Sequence, residues 1–355
     1  ELGWNGADYV ELWGIQGVSI PAQELYKVAV TGSTGDEYSL INSALDGDDQ
    51  FFLSDWNDVA FGRGGNDWMF GFSGHDVIFG GAGDDFLEGG LGNDTLDGGL
   101  GFDIAFFTGA PSSYTLTLSV GSPMVIADRR TGGDGDDKLI DVEALGFDLS
   151  SSTFDLTQFG GTTALSQKQF ESFVELYIAY FNRAPDAVGL NFWGTAFANG
   201  TTFEEIAKLF MDQDETRATY PSVLSNTDFA TAVYNNVLGR VPDQAGLDFW
   251  AGVLDSGGQG RDQFILSVLG GVQEGSADRV YLDNKVDVGA YFSVHRGLSD
   301  VGDAAAVMAL FDGSQASIDR AVEAIEADYA EALHPTSGEF LMPLLGVLDN
   351  PFAWG

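Results

Sequence analysis

Apolar residues recur every nine positions between residues 49 and 106, and each follows an aspartate by two places. The aspartates are Asp49, Asp58, Asp67, Asp76, Asp85, Asp94 and Asp103, and the apolar residues include Phe51, Met69, Ile78, Leu87 and Leu96. This spacing is typical of short strands with one buried face. Strands of about three residues cannot bury a core alone, so the pattern predicts units that stack on one another.

The six residues that end in each aspartate are rich in glycine, as in GGAGDD from Gly80 and GGLGND from Gly89. Glycine permits left-handed backbone, and such turns direct carbonyl oxygens inward beside a carboxylate. Oxygen donors suit a hard cation. If two units make one coil, the aspartates separate into two ranks with an 18-residue spacing: one rank contains Asp49, Asp67, Asp85 and Asp103, and the other contains Asp58, Asp76 and Asp94.

The nonapeptides resemble the repeats of the RTX family of secreted calcium-binding proteins. The resemblance implies a parallel β-roll in which each calcium ion lies between successive turns of one rank. One turn is expected to contribute its first and third carbonyls and its aspartate, and the next turn its second and fourth carbonyls and its aspartate. On this basis Gly80, Ala82 and Asp85 face Gly99, Gly101 and Asp103, and Gly71, Ser73 and Asp76 face Gly90, Gly92 and Asp94.

The predicted metal-binding residues combine the aspartates with residues of the glycine-rich turns. They are Asp49, Asp58, Gly62, Gly64, Asp67, Gly71, Ser73, Asp76, Gly80, Gly81, Ala82, Gly83, Asp85, Gly90, Gly92, Asp94, Gly99, Gly101, Asp103 and Asp137. The first two frames, ALDGDDQFF and LSDWNDVAF, lack the opening glycine pair, which leaves ion occupancy there open. Pairing within ranks predicts about five calcium ions, each with about six oxygen ligands.

The segments on either side of the repeats also have β character. Residues 1–44 contain the stretches YVELW and LYKVAV, which predict either a β-cap or degenerate coils of the roll. After Phe106, the alternation in SYTLTLSV followed by MVIAD predicts a β-hairpin. The nonapeptide returns as GGDGDDKLI from Gly132, so Asp137 either completes one more turn or belongs to an ordinary acidic turn. We therefore assign residues 45–160 to the roll with its hairpin insertion.

Helical spacing begins after the segment FGGTTA and predicts an all-α domain over residues 161–333. Ser166 with Gln169, and Thr202 with Glu205, have the spacing of capping boxes. The residues expected to face the core are Phe170, Phe173, Val174, Tyr177, Ile178, Phe181, Phe203, Ile206, Leu209 and Phe210. The expected fold class is thus multidomain β plus α, with a calcium-binding parallel β-roll followed by helices.

An internal repeat of 57 residues lies within the helical half. NRAPDAVGLNFW from Asn182 aligns without a gap to GRVPDQAGLDFW from Gly239. This pattern resembles a helical repeat domain of unassigned function that accompanies RTX repeats in secreted and surface-associated bacterial proteins. The paired arginines, Arg183 and Arg240, suggest either internal ion pairs or an anion site. The paired tryptophans, Trp193 and Trp250, suggest either core packing or sugar stacking.

Composition narrows the possible partners. The 54 acidic against 15 basic residues give a formal charge of -39, which disfavours nucleic acid and anionic membranes. The chain has no cysteine, so calcium is the expected substitute for disulfides in an extracellular setting. Residues 334–355 form an apolar tail too short to span a bilayer. No basic-then-apolar signal peptide precedes the roll, which indicates either a longer chain or export by a type I route that does not read the N-terminus.

Recognisable catalytic motifs were not found. HExxH, GxSxG and phosphate-loop patterns are absent, and His75, His295 and His334 share no metal-ligand spacing. The leading hypothesis is a non-catalytic, calcium-dependent extracellular structural or adhesive module of the surface-layer, matrix or adhesin type, with copies of itself or a cell-surface glycan as partners. The alternatives are the secretion and folding portion of a larger exoenzyme and a calcium-dependent glycan-binding module.

Overall fold

The computed structural model describes residues 46–148 and 153–352. The chain divides into two compact units. One comprises the described residues up to Leu116 together with Pro123–Thr157, and the other comprises Thr117–Ser122 together with the residues from Gln158 onward. The β-cap or degenerate coils predicted for residues 1–44 lie outside the described residues.

The first unit is a roll of short strands. The strands up to residue 155 are, in chain order, β1 (Gln50–Phe52), β2 (Val59–Gly64), β3 (Trp68–Phe70), β4 (Val77–Ala82), β5 (Phe86–Glu88), β6 (Thr95–Leu100), β7 (Ile104–Phe107), β8 (Tyr114–Ser119), β9 (Met124–Asp128), β10 (Asp136–Ile140), β11 (Ala144–Phe147) and β12 (Phe154–Asp155). The second half of β8, from Thr117, belongs to the second unit. Odd-numbered strands β1 to β7 pair in parallel in one sheet, and β2, β4 and β6 pair in parallel in the other. This confirms the parallel β-roll.

Partner residues in the roll are 18 positions apart, as Met69 opposite Leu87 and Ile78 opposite Leu96 show. These four side chains have no solvent exposure. Each occupies the middle of a strand segment whose flanking side chains point outward, because successive side chains alternate across a strand. The apolar position two places after each aspartate therefore forms the core between the two sheets.

A hairpin insertion separates the last turn of the roll from the preceding ones. Strand β10 pairs in parallel with β6, with Lys138 opposite Thr95, and β11 pairs in parallel with β7, with Ala144 opposite Ile104. In sheet order β8 lies beside β9, and β9 runs antiparallel to β10. Strand β12 runs antiparallel to β11. The last parallel strands of the two sheets, β10 and β11, are therefore covered by antiparallel neighbours, which protects edges that would otherwise be open.

The second unit is predominantly helical. Its described α-helices are α1 (Gln167–Phe181), α2 (Ala187–Ala198), α3 (Phe203–Met211), α4 (Asp214–Thr219), α5 (Asn226–Leu238), α6 (Gln244–Asp255), α7 (Arg261–Gly271), α8 (Ala277–Ala290), α9 (Val301–Ala309) and α10 (Gln315–Ala332). A π-helical turn over Tyr291–His295 continues α8, and a short strand, β13 (Leu344–Leu345), lies in the tail. The two predicted capping boxes are present at α1 and α3.

The predicted apolar face of α1 is buried throughout, and Ile206 and Phe210 of α3 are buried as well. Leu209 is an exception: the sequence pattern placed it inward, but it is 45% exposed. Ile206 and Phe210 are four residues apart and share one face of α3, whereas Leu209 lies at the margin of that face. The prediction for Leu209 was therefore wrong.

The 57-residue repeat corresponds to two equivalent helix pairs, α1 with α2 and α5 with α6. Asn182 and Gly239 end the first helix of each pair in left-handed conformation. Asp186 and Asp243 begin the second helix by accepting hydrogen bonds from Gly189 N and Gly246 N at 2.6 and 2.8 Å. A left-handed cap followed by a capping aspartate makes the same turn twice.

The tail packs within the helical unit. Leu341, Met342 and Leu344 are buried, and Met342 N donates to the Gly297 carbonyl at 3.0 Å. Within residues 46–148 and 153–352, every helix is too short or too polar to span a bilayer.

Candidate calcium sites of the roll

The aspartates of each rank are linked by one repeated hydrogen bond. The backbone N–H of each aspartate donates to Oδ1 of the aspartate one coil later, at 2.7 to 2.8 Å. The donor and acceptor pairs are Asp49 and Asp67, Asp67 and Asp85, Asp85 and Asp103, Asp58 and Asp76, and Asp76 and Asp94. Asp94 N donates in the same way to Asp137, whose position in the stack matches the predicted additional turn. One carboxylate oxygen of each acceptor is thus satisfied within the protein.

The second carboxylate oxygen is different. In the described part of the chain, six Oδ2 atoms are buried and have no hydrogen-bond partner: those of Asp49, Asp67, Asp76, Asp85, Asp94 and Asp103. Asp58 departs from this pattern because its Oδ2 accepts hydrogen bonds from Ser54 N and Ser54 Oγ at 2.8 and 2.7 Å. A buried anionic oxygen without a partner is costly, so the arrangement requires a cation or a proton.

A narrow space lies beside four of the unpartnered oxygens, those of Asp67, Asp76, Asp85 and Asp103, and a glycine without a side chain adjoins each space. A side-chain carbon placed on Gly80 would lie 2.3 Å from Asp85 Oδ2 and 2.7 Å from the Gly98 carbonyl oxygen. The equivalent carbon on Gly62 would lie 2.3 Å from Asp67 Oδ2 and 2.5 Å from the Gly80 carbonyl oxygen. Each space is therefore bounded by a carboxylate oxygen of one turn and a carbonyl oxygen of the next, which are the donor types that calcium prefers.

The carbonyl directions correct one detail of the predicted ligand set. The earlier turn directs its second and fourth carbonyl oxygens toward the later turn. A side-chain carbon on Gly99 would lie 2.2 Å from the Gly81 oxygen, and one on Gly101 would lie 1.8 Å from the Gly83 oxygen. The later turn directs its first and third carbonyl oxygens back toward the earlier turn. The Gly80 oxygen would lie 2.5 Å from a side-chain carbon on Gly62, and the Ala82 oxygen accepts a hydrogen bond from Gly65 N at 2.9 Å. The family resemblance implies the opposite assignment of these pairs to the two turns. Carbonyl polarity depends on backbone direction, which the resemblance alone did not supply.

The same polarity holds on the other edge. The Gly74 carbonyl oxygen points toward Gly92, and the Phe72 carbonyl oxygen toward Gly90. The Gly89 carbonyl oxygen points back toward Gly71, beside Asp76 Oδ2. Ser73 lies opposite Leu91 in an isolated parallel bridge, and Gly64 lies opposite Ala82 in the β2–β4 ladder. The structure therefore brings the predicted residues of both edges together, with the turn polarity reversed.

Burial and mutual repulsion raise the pKa of the rank aspartates. Loss of solvation is the main cause, and it raises the pKa of Asp67 to about 7 and that of Asp94 and Asp103 to about 6. Asp137 has its pKa raised to about 8, again mainly by burial, with Asp94 adding repulsion. The neighbouring carboxylate within the rank raises each of these values further. A divalent cation between turns would offset both effects.

Most ligands of a calcium ion at these sites would be backbone carbonyl oxygens. Within the described residues, no group of three or more His, Asp or Glu side chains is placed to hold a metal. The intervals at Asp67, Asp76, Asp85 and Asp103 instead offer an unpartnered carboxylate oxygen with a carbonyl oxygen of the next turn beside it. Such a donor set fits calcium, which accepts about six to eight oxygens in flexible geometry.

A second ladder, which the sequence analysis did not predict, lies one residue before the aspartates. Asn66 Oδ1 accepts from Asp84 N at 2.8 Å, and Asp84 Oδ1 accepts from Phe102 N at 2.9 Å. On the other edge, His75 Nδ1 accepts from Asn93 N at 2.8 Å. These side chains link the exposed rims of successive turns by hydrogen bonds. The recurrence of acceptor side chains at this position is visible in the sequence and could have predicted the ladder.

The paired residues of the helical repeats have structural partners. Arg183 is buried and contacts Glu215 and Asp186, while Arg240 is more exposed and pairs with Asp278 at 2.6 Å. Trp193 packs edge-on against Phe210, and Trp250 against Phe264, at ring-centre distances of 5.4 and 5.1 Å. Both arginines thus form ion pairs, and both tryptophans pack against aromatic neighbours.

Comparisons with known proteins divide the chain in the same way. Residues 43–71 and 70–105 match the RTX calcium-binding nonapeptide repeat model, and residues 207–272 match the Domain of unknown function DUF4214. A search of curated proteins gives no significant match. Among solved structures, the AlgE6R3 subunit of the Azotobacter vinelandii mannuronan C5-epimerase matches at 23% identity, covering 26% of this chain and 71% of that one with a TM-score of 0.16. Residues 43–105 are therefore RTX calcium-binding repeats, and the strand register shows their β-roll.

Proposed function

We propose that this chain is a non-catalytic, calcium-dependent extracellular structural or adhesive module whose roll folds when it binds calcium after export. The observation that carries the proposal is the set of six buried aspartate oxygens without hydrogen-bond partners in the described roll. Four of them, in Asp67, Asp76, Asp85 and Asp103, lie beside a glycine and a carbonyl oxygen from the next turn. A fold that repeats this arrangement is complete only with a cation at each interval.

The proposed calcium ligands are the second and fourth carbonyls and the aspartate of one turn with the first carbonyl of the next. For the interval after Gly80 these are the Gly81 and Gly83 carbonyls, Asp85 Oδ2 and the Gly98 carbonyl. Calcium would supply the positive charge that these oxygens face. The interval after Asp58 is the weakest candidate, because Ser54 already satisfies the Asp58 oxygen that would face the ion.

Folding is then coupled to location. Without calcium, the carboxylates within each rank repel one another, and the glycine-rich turns have much conformational entropy to lose. Outside the cell, calcium at about millimolar concentration binds the stacked form, so its binding free energy becomes folding free energy. A chain that stays unfolded inside the cell is suited to a type I export channel.

The structural or adhesive role rests on how both units use their repeats. The helical pairs employ their arginines and tryptophans in internal contacts, and the roll employs its aspartates between turns. Such a molecule resembles a scaffold whose surface is available for assembly. We therefore propose assembly with copies of itself at the cell surface.

Assembly is tested by adding calcium to the dialysed chain and following particle size by light scattering and electron microscopy. We expect ordered arrays with calcium and dispersed chains with chelator. Asp85→Asn removes the negative charge of one aspartate in a rank, so both folding and assembly should require a higher calcium concentration. Asp84→Asn makes the same charge change on the exposed rim and keeps the acceptor for Phe102 N, so it should leave the calcium midpoint almost unchanged.

Two outcomes contradict different parts of the proposal. A roll that folds in calcium while the chain remains dispersed at high concentration would contradict the assembly role and leave calcium binding intact. Equal calcium midpoints for the Asp85 and Asp84 variants would contradict the assignment of the rank aspartates as ligands.

A further inference from the structure

The last turn of one rank is shorter than the others. Strand pairing places Ala144 opposite Ile104, so Glu143 stands opposite Asp103. Pairing of β10 with β6 places Ile140 opposite Asp97, so Asp141 stands opposite Gly98. The interior turn from Gly98 to Asp103 has six residues, whereas the turn from Asp141 to Glu143 has three.

Glu143 takes the structural place of the next aspartate in the rank. Its Oε2 accepts a hydrogen bond from Asp103 N at 2.8 Å. Asp103 Oδ1 makes the same contact with Asp85 N, also at 2.8 Å. The longer glutamate side chain reaches across the shortened turn. The contact joins residues that are 40 positions apart, and no nine-residue frame includes Glu143.

A narrow space like those beside Gly62 and Gly80 lies beside this contact. Asp103 has no solvent exposure, and its Oδ2 has no hydrogen-bond partner. A side-chain carbon on Gly98 would lie 2.6 Å from Asp103 Oδ2 and 2.2 Å from the Asp141 carbonyl oxygen. Asp141 has a φ of 45°, a left-handed conformation that non-glycine residues rarely adopt. Its carbonyl therefore takes the position that the Gly98 carbonyl occupies beside Gly80.

We propose that Asp103, the Asp141 carbonyl and Glu143 form a terminal calcium site that closes the hairpin insertion onto the roll. The inference rests on the proposed function, because it extends calcium binding by the ranks to a turn outside the nonapeptide frames. The ion would connect Asp103, before the insertion, to Asp141 and Glu143, after it. Glu143 O also accepts from Leu156 N at 2.7 Å, so the site adjoins the pairing of β11 with β12.

The shortened turn predicts the properties of this site. The later turn has three residues fewer and encloses the interval less, so the ion keeps more water than an ion between two full turns and binds more weakly. The terminal site therefore fills last as calcium rises. Its filling orders the closing strand β11, because ordering that segment requires closure of the long loop between Asp103 and Glu143.

The test is to count calcium ions bound per chain by equilibrium dialysis and to follow hydrogen exchange of Ala144–Phe147. Glu143→Gln keeps an oxygen acceptor for Asp103 N and removes the charge. We expect this variant to bind one calcium ion fewer than the unaltered chain and to exchange faster in β11, while β5 remains protected. Asp148→Asn is the matched control: it makes the same charge change at an exposed residue just after β11, outside the proposed site, so the count should not change.

An unchanged ion count and unchanged exchange in Glu143→Gln would overturn the terminal site, with the interior sites unaffected. An unaltered chain that binds no calcium would instead overturn the proposed function. Should Glu143→Gln fail to fold, Glu143→Asp provides the second measurement. Its shorter carboxylate should raise the calcium midpoint of the last binding step at least threefold, and an unchanged midpoint would contradict the proposal.

Discussion

The roll and the helical unit both bury charged side chains, but they satisfy them in different ways. In the helical unit the Lys285 ammonium donates to the Asn236 carbonyl and to Asn236 Oδ1 at 2.7 and 2.8 Å, and Arg183 is held by carboxylates. In the roll, six buried aspartates keep one oxygen without a partner in the described structure. The helical unit contains the partners that its buried charges need, and the roll requires them from outside.

The difference shows how an acidic chain tolerates its own charge. A helix pair satisfies its polar ends with caps such as Asp186 and Asp243, which are present before any ligand binds. A stack of identical turns places like charges above one another, so its stability depends on counterions. We therefore expect the stability of the helical unit to come from the chain itself, whereas the proposed function makes that of the roll conditional on calcium.

Removal of calcium should produce the largest difference in stability between the two units. We expect chelator to unfold residues 46–148 and to leave the helices between Gln167 and Ala332 in place. Circular dichroism and limited proteolysis, with the fragments identified by mass, measure the two effects together. Calcium should restore the roll, and magnesium much less so, because it demands a smaller octahedral site. A roll that stays protease-resistant in excess chelator would contradict the comparison.

Within the helical unit, the two repeats should respond differently to loss of their arginine. The Arg183 side chain is 5% exposed and pairs with Glu215 and Asp186, whereas that of Arg240 is 47% exposed. Arg183→Ala leaves carboxylates without their buried partner and should cost about 3 kcal/mol of unfolding free energy. Arg240→Ala should cost about 1 kcal/mol or less.

Chemical denaturation of both arginine variants, with and without calcium, measures these differences. We expect the same costs in either condition, because the ion pairs lie in the unit that does not depend on the metal. Equal costs for the two variants would show that the repeats are energetically equivalent despite their different burial.

Filling the space beside Gly80 should weaken the roll by steric overlap in either condition, and by a larger amount when calcium is present. Gly80→Ala places a carbon 2.3 Å from Asp85 Oδ2, where the proposed ion would be bound. At calcium concentrations 100-fold above the dissociation constant, loss of one ion costs about 2.7 kcal/mol. Gly252→Ala is the control, since no atom lies within 4 Å of the added carbon in α6, and it should stabilise by about 0.4–1 kcal/mol. Calcium titrations followed by hydrogen exchange would resolve the two changes.

Lowering the pH should act in opposite directions on the two units. Burial raises the pKa of Asp67 to about 7 and that of Asp137 to about 8, so their unfavourable charge is fully present above pH 8 and is relieved as the pH falls toward 4. The calcium-free roll should therefore resist proteolysis better at pH 5 than at pH 8. Calcium binding should weaken over the same range, because protons compete for the same oxygens.

The helical unit should show the reverse dependence. Burial lowers the pKa of Lys285 to about 7 from its ordinary value of 10.5, so the folded unit binds fewer protons than the unfolded chain between these values. Its stability should fall as the pH decreases from about 10 to about 7. Thermal melting of the helical signal measures this change, and Lys285→Met should remove the dependence.

The repeat, the ranks and the buried positions of the roll can be read from the residues alone. A nine-residue spacing leaves little freedom, because an apolar side chain and a carboxylate must each recur on the same side of a stacked strand. The helical pairs were determined in the same way by capping aspartates and by apolar spacing. Local rules of this kind are readable from residues that are close together in the chain.

Three features follow only from the three-dimensional fold: the direction of the turn carbonyls, the hydrogen bonds that Asp58 Oδ2 accepts and the position of Glu143. The Gly81 and Gly83 carbonyls point toward the following turn, which depends on the backbone direction of the whole roll. Glu143 meets Asp103 across 40 residues, and β11 pairs with β7 although the hairpin lies between them in the chain. Contacts between distant residues depend on how strands pair in three dimensions, and a local spacing rule contains no information about that pairing.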